Sequence, residues 1–271
     1  MKYPGRVIKQ GERDARIVKA LKTALNKALV LRGDEALQLD PDNPHFGPSM
    51  KRAVKLFQAR NLDDQGLPLK IDGEVGSLTW SALFGAERVP QAEVVKNPFI
   101  AAVLAQAASQ VGVMEVPRNS NRGPEVDAYL KRTGVPVGLA WCCAFTYWCF
   151  DEAALAAGRP NPMVKTAGCL AHWNKAPARG ARRISVREAT DNPALVQPGM
   201  VFIMDFGGGK GHTGFVERVE GGYVHTIEGN TDASQTREGG GVYRLQRKLG
   251  SLANVQVLTS AMTTRVNGAE K

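Results

Sequence analysis

Apolar residues recur at helical spacing near the start of the chain, over residues 13–30, where Ile17, Leu21 and Leu25 fall on one face. Gly33 comes shortly after this segment, and glycine is a frequent residue at the end of a helix. The spacing therefore predicts a first amphipathic helix with Gly33 as its C-terminal stop.

A second helical pattern follows an Asp- and Pro-rich stretch at residues 39–48, whose composition predicts a loop. Ser49 is the predicted N-cap, because a serine hydroxyl can accept a hydrogen bond from a free N–H group of the first turn. The helix is expected to face Ala53, Val54 and Phe57 inward.

A third helix is predicted to begin near Ser77 and to carry Trp80 and Leu83 on its apolar face. Three short helices predict a small bundle, which we assign to residues 1–88. The next residues are polar and include a proline, so residues 89–97 are interpreted as an interdomain linker.

The remaining chain shows helical periodicity first and strand periodicity afterwards. The helical segments are residues 98–112, 126–134, 141–158 and 165–175. The predicted strands are Met200–Phe206, His212–Val219, Tyr223–Glu228, Val242–Arg247 and Ala253–Ser260. Helices followed by antiparallel strands predict an α+β domain, with helices packed on the sheet, over residues 98–271.

Composition and charge narrow the possible partners only slightly. The net charge of +9 favours approach to any polyanion, whether nucleic acid, anionic lipid or the acidic bacterial wall. The sequence has no basic repeat or aromatic-basic motif of the kind that binds nucleic acid, so no nucleic-acid partner is expected.

Membrane insertion is not expected either, since no run approaches the roughly 18 apolar residues that a spanning helix needs. The first residues lack the apolar stretch of a secretory signal, so we expect the protein to be made in the cytoplasm. An extracellular target would then require release by lysis or delivery by a secretion system.

The four cysteines, Cys142, Cys143, Cys149 and Cys169, lie within one short region. A disulfide framework would distribute cysteines along the chain, so reduced thiols are the better interpretation. On one helix, Cys142 and Cys149 would be about 10 Å apart along the axis, which is too far for a bridge.

Cys142 occupies the position best suited to a nucleophile. It opens a helix, where the free N–H groups and the helix dipole favour the thiolate, so a depressed pKa is expected for this thiol. His212 follows a glycine-rich turn and is the candidate general base. Glu228 and Asn230 stand two residues apart at the end of a predicted strand, hence on one face, and either can orient the imidazole.

Other interpretations of these residues are purely structural. Cys143, Cys149 and Cys169 are typical of small buried side chains. Cys169 and His172 have a zinc-like spacing, but no second pair completes a four-ligand site. We therefore expect neither a metal site nor a cofactor.

Two parts of the sequence resemble known families. The first, residues 13–85, is similar to the peptidoglycan-binding domain that accompanies many cell-wall hydrolases, and its markers are Phe57-Gln58, Asp72-Gly73, Gly76 and Thr79-Trp80. Taken one by one, these residues are expected to shape a turn or fill a small core, so the domain can bind the wall without using them.

The second part, residues 98–262, resembles the CHAP domain, the cysteine, histidine-dependent amidohydrolase/peptidase group of the papain-like superfamily. The blocks that carry this resemblance are WCCAFTYWCF, GHTGFVE and IEGNT. It implies a nucleophile at Cys142, a base at His212 and polar third members at Glu228 and Asn230. Where relatives usually carry a small residue without a thiol, this chain has Cys143.

The resemblance also implies a function: hydrolysis of an amide in the peptide part of bacterial peptidoglycan, by an N-acetylmuramoyl-L-alanine amidase or an endopeptidase. Trp141, Asn121 and Arg122 are the candidate substrate contacts. A non-catalytic wall-binding protein is the alternative. A monomer is expected, acting as a phage lysis enzyme or as an effector delivered into rival bacteria, in which case an immunity protein would be a partner.

Overall fold

The computed structural model describes residues 1–30, 38–95, 97–235 and 239–249, together with the backbone of residues 255–259. Two compact units are present. Unit 1 contains Met1–Ala92, Arg187–Leu195 and Val219–Tyr223, and unit 2 contains Glu93–Val186, Val196–Arg218 and the chain from Val224 onward. Among the described residues, no helix is both long and apolar enough to cross a membrane.

Helices dominate the first two thirds of the described chain. They are α1 (Ala15–Val30), α2 (Pro48–Arg60), α3 (Ser77–Phe84), α4 (Pro98–Ser109), α5 (Pro124–Thr133), α6 (Cys142–Ala156), α7 (Cys169–Lys175) and α8 (Val186–Asp191). Short 3₁₀ turns cover Ala86–Arg88, Ala176–Arg179 and Pro193–Leu195. The predicted stop of α1, Gly33, lies outside the described residues.

The core of unit 1 is formed by the inward faces of α1, α2 and α3, in keeping with the predicted three-helix bundle. Leu21 and Leu25 of α1 and Trp80 of α3 have no exposed surface. Burying each large apolar side chain stabilises the fold by roughly 1.5–3 kcal/mol. The predicted cap of α2 is wrong: Gly47 is the N-cap, and Pro48 starts the helix because its fixed φ suits the first turn.

Gln58 organises the turn that precedes α3. Its Nε2 donates to the carbonyl of Glu74 at 2.8 Å and to Asp72 Oδ1 at 3.1 Å, while its Oε1 accepts from the backbone N–H of Gly73 at 2.9 Å. Asp72 also accepts from the backbone N–H of Glu74, as expected for an aspartate in a turn. The sequence markers of this unit therefore have a structural role.

In unit 2, α6 is the central helix. Its side chains are buried on every side from Cys142 to Tyr147, and a helix that is apolar all round must be enclosed by other elements. Phe145 and Phe150 of α6 both pack against Phe215 of the sheet, with ring centroids 6.0 and 5.8 Å apart. These contacts fix the helix against the strands that carry the other site residues.

The described strands are β1 (Arg182–Ile184), β2 (Val201–Gly207), β3 (Lys210–Glu220), β4 (Tyr223–Thr231), β5 (Gly241–Lys248) and β6 (Val255–Thr259). They form one six-stranded sheet of order β1-β6-β2-β3-β4-β5. The pairs β1–β6, β6–β2 and β2–β3 are antiparallel. The predicted α+β class is confirmed, whereas β1 and α8 were not predicted from the sequence.

Candidate active site

Cys142 is the first residue of α6, and only 4% of its surface is exposed. The first four N–H groups of a helix lack partners within the helix and carry the positive end of its dipole. A group that takes on negative charge beside Cys142 is therefore favoured electrostatically.

Trp141 holds the start of α6 in place. Its backbone N–H donates to Asn230 Oδ1 at 2.9 Å, and its indole Nε1 donates to Glu115 Oε1 at 2.8 Å. Gly229 permits this close approach of β4, because a Cβ atom there would lie 2.7 Å from the Trp141 ring. The nucleophile candidate is thus positioned by the residue immediately before it.

His212 lies in β3 opposite Met204 of β2 and is almost fully buried. Its Nε2 is 2.7 Å from Glu228 Oε2, so the carboxylate fixes the orientation of the ring. Within the described part of the chain, Nδ1 has no partner of full hydrogen-bond geometry. The Cys142 thiol nevertheless interacts with this imidazole, an arrangement that can tighten when substrate binds.

Glu228 has no exposed surface and receives hydrogen bonds from three side chains. Arg247 donates from Nε to Oε1 at 2.7 Å and from Nη2 to Oε2 at 2.6 Å, and Thr226 donates its hydroxyl to Oε1 at 2.5 Å. Burial disfavours the carboxylate, but the hydrogen bonds from Arg247 and His212 outweigh it and lower the pKa of Glu228 to about 2.

The protonation of His212 follows from the same contacts. Burial lowers the pKa of the imidazole, but its contact with the Cys142 thiol and its hydrogen bond with Glu228 outweigh this and raise the pKa to about 9. The imidazolium in turn favours the thiolate of Cys142. His212 therefore interacts both with the Cys142 thiol and with a carboxylate that is ionised at neutral pH.

The expected depression of the Cys142 pKa is not found. Contact with the Cys169 thiol and burial raise the pKa of Cys142, and the opposing influence of His212 is smaller. The two sulfur atoms are 3.4 Å apart. A prediction from the helix N-terminus alone missed both the burial and the second thiol.

The other predicted site residues differ in their surroundings. Asn230 contacts the backbone of Trp141 rather than the imidazole, and its Nδ2 donates to Asn121 Oδ1 at 3.2 Å. Asn121 thus lies beside the catalytic candidates, although its side chain is used to hold Asn230. Arg122 is exposed and forms a two-pronged ion pair with Asp127, at 2.9 and 3.0 Å.

Trp141 has no exposed surface, so the geometry gives no support to a direct substrate contact by its indole ring. Three residues of the site were not anticipated from the sequence: Arg247, Thr226 and Glu115. Nothing in the local sequence marks them, because their roles depend on contacts between distant segments. Among the described residues, no three or more His, Cys, Asp or Glu side chains cluster in a way that could hold a metal ion.

Comparison with known families agrees with this two-part organisation. Residues 134–230 match the CHAP domain model, and residues 15–83 match the peptidoglycan binding domain model. Searches of curated proteins and of solved structures find no match. Cys142, His212, Glu228 and Asn230 all fall within the CHAP match, and Arg247 falls beyond it.

The buried ion pair makes a prediction about stability. Glu228→Gln should destabilise the protein by about 3–5 kcal/mol at pH 7, because it leaves the Arg247 cation buried without a counter-charge. The ionised Glu228 stabilises the fold above the pKa of an unfolded glutamate, roughly 4.3, and this stabilisation is lost as the pH falls toward the folded value of about 2. The difference from wild type should therefore shrink below pH 4.

Urea unfolding of both proteins between pH 7 and pH 3 measures this difference. Glu217→Gln is the matched control, because Glu217 pairs with Arg244 at 3.0 Å on a more exposed part of the same sheet. Its effect should stay below about 1 kcal/mol. Equal destabilisation by the two variants, or a difference independent of pH, would contradict the assigned role of the buried pair.

Proposed function

We propose that this chain, which joins a peptidoglycan-binding domain to a CHAP domain, cleaves amide bonds in the peptide part of bacterial peptidoglycan with Cys142 as nucleophile. The CHAP match indicates a peptidoglycan hydrolase of the amidase or peptidase class. Support for the mechanism comes chiefly from His212, whose Nε2 contacts Glu228 while its ring also interacts with the Cys142 thiol.

In the first step, the Cys142 thiolate attacks the carbonyl carbon of the amide, and its proton resides on His212. The C–N bond then breaks, and His212 protonates the departing amine. A thioester between the substrate acyl group and Cys142 remains. Glu228 stays ionised throughout and stabilises the imidazolium, because its pKa lies far below neutral pH.

In the second step, His212 removes a proton from water, and the resulting hydroxide attacks the thioester carbonyl. The C–S bond breaks, a carboxylic acid leaves, and the proton returns to Cys142. In both steps the negative charge on the carbonyl oxygen needs donors. The backbone N–H of Cys142, at the first turn of α6, is the donor we assign to it.

A non-catalytic wall-binding protein is the competing function. Such a protein would have no need for a buried carboxylate that is neutralised by Arg247 and contacts a histidine beside a thiol. Burying ionised groups costs several kcal/mol unless their partners are well placed, and functional sites commonly keep such groups. The geometry therefore favours the enzyme.

We assign binding to the cell wall to unit 1. Gln58 and Trp80 are buried, so the contact must involve other residues. An open cavity of about 540 Å³ is lined by Gln10–Arg13 and Pro44–Phe46. Arg13 and His45 on its rim are exposed and can bind the carboxylates and hydroxyl groups of peptidoglycan.

The two neighbouring thiols should differ in activity. Cys142→Ala and His212→Ala should each lower the rate of wall hydrolysis about 1000-fold or more, because each removes a reacting group. Cys143→Ala should keep most of the activity, since the Cys143 thiol contacts the carbonyl of Thr166 rather than the imidazole. The rates are compared on one preparation of purified wall. A loss of activity confined to Cys143→Ala would show that Cys143, and not Cys142, is the nucleophile.

Digestion of purified peptidoglycan should produce new amino and carboxyl groups in equal amounts and no new reducing sugar ends. Amide hydrolysis breaks the C–N bond and leaves the glycan chain intact. Mass spectrometry of the fragments measures these ends and distinguishes an amidase, which separates muramic acid from the peptide, from an endopeptidase. New reducing ends that persist in Cys142→Ala would show a contaminating glycosidase, and their loss in that variant would refute the proposed bond class.

Arg13→Ala should reduce retention of the full-length protein on insoluble wall by roughly tenfold, the value of one charge-assisted hydrogen bond. Cleavage of small soluble muropeptides should not change, because the reacting groups are untouched. Arg52→Ala removes the same charge from an exposed position of α2 that does not line the cavity, and it serves as the control in the sedimentation assay. Equal retention by the two variants would show that the cavity is not part of the wall-binding surface.

A further inference from the structure

A second cysteine lies against the nucleophile candidate. Cys142 Sγ and Cys169 Sγ are 3.4 Å apart, and both cysteines are free and buried. A disulfide needs a separation of about 2.05 Å, so the sulfur atoms have only about 1.4 Å to travel.

Packing keeps Cys169 in this position. It begins α7, and its Cβ atom lies so near Gly211 that a Cβ at that residue would approach it to 3.0 Å. Gly211 immediately precedes His212. Cys169 is therefore held against the residue that precedes the candidate base, with its thiol beside the candidate nucleophile.

The remaining cysteines have different surroundings. The Cys143 thiol donates to the carbonyl of Thr166 at 3.5 Å, although it also lies near enough to Cys169 to raise the pKa of that thiol. Cys149 is fully buried in the apolar core of unit 2. Cys143 is thus the competing partner for Cys169, and Cys149 is a matched buried thiol for comparison.

We propose that Cys142 and Cys169 form an oxidation-sensitive dithiol, in which a peroxide converts the two thiols to a disulfide that blocks the nucleophile and reduction restores it. The loss of hydrolysis rests on the proposed function of Cys142. Formation of the disulfide does not, because it depends only on the two thiols and the oxidant.

The oxidation has two balanced steps. The Cys142 thiolate, formed by proton transfer to His212, attacks one oxygen of hydrogen peroxide; an S–O bond forms, the O–O bond breaks, and the departing hydroxide takes up a proton as water. The sulfur loses two electrons and becomes a sulfenic acid. Cys169 then attacks that sulfur, so the S–S bond forms, the S–O bond breaks, and a second water leaves with the Cys169 proton.

Burial limits which oxidants can act. Cys142 and Cys169 have 4% and 6% of their surfaces exposed, so a small peroxide reaches them more readily than a bulky disulfide reagent. A reducing compartment would keep the thiols free, and an oxidising one would close the pair. Hydrolysis would then depend on the redox state of the surroundings in which the protein acts.

The test treats the reduced full-length protein with hydrogen peroxide and then alkylates the remaining thiols after denaturation. In wild type, two of the four cysteines should escape alkylation, and peptide mapping should join Cys142 to Cys169. Wall hydrolysis should fall to background and return fully on treatment with dithiothreitol.

Cys169→Ala should retain hydrolysis while reduced but respond differently to peroxide. Without a partner for the sulfenic acid, Cys142 is oxidised further to sulfinic and sulfonic acids, which dithiothreitol does not reverse. Its activity should therefore stay lost. Cys149→Ala should behave like wild type, because Cys149 takes no part in the pair.

Three results would overturn the proposal: four free thiols in peroxide-treated wild type, a disulfide that maps to Cys143 and Cys169, or full recovery of Cys169→Ala by dithiothreitol. The peptide map is read without any activity measurement. If reduced wild type fails to digest wall, the proposed function is wrong while the map still decides whether the dithiol exists.

Discussion

A carboxylate with no access to water imposes the main constraint on unit 2. Ionised Glu228 is tolerable only where positive charge and hydrogen-bond donors surround it, and Arg247, Thr226 and His212 supply them. These partners come from β3, β4 and β5, so hydrogen bonds to this one carboxylate hold three neighbouring strands together. The orientation of the imidazole follows from this buried charge, which together with the Cys142 thiol also raises the pKa of the ring.

The position of Cys142 depends on the contacts that hold the first turn of α6. The carboxamide of Asn230 accepts from the N–H of Trp141, and the indole of Trp141 is enclosed by the core and bonded to Glu115. Asn230 adopts a positive φ of 59°, which asparagine tolerates better than most residues. Asn230, one of the two residues expected to orient the histidine, thus positions the nucleophile candidate, whereas Glu228 forms the hydrogen bond to the ring.

Local signals in the sequence were sufficient for most of the elements, although not for β1 or α8, and they did not reveal the environment of the site. Helices such as α5, which Gly134 ends in a left-handed conformation, follow from periodicity and capping within one short segment. The raised pKa of Cys142 and the burial of Trp141 arise from segments far apart in the chain. The Cys169 contact spans 27 residues and the Arg247 contact spans 19, so neither has a local pattern.

The candidate site includes a residue, Arg247, that lies beyond the end of the family match. The match to the CHAP model stops at residue 230, just after the groups that resemble a catalytic set. Removing Arg247 would leave Glu228 buried beside His212 without its main counter-charge, and neutralisation by proton uptake would then compete with its bond to the imidazole. Retention of a charged carboxylate therefore requires β5, so the chemistry of this site depends on a strand that lies beyond the matched residues.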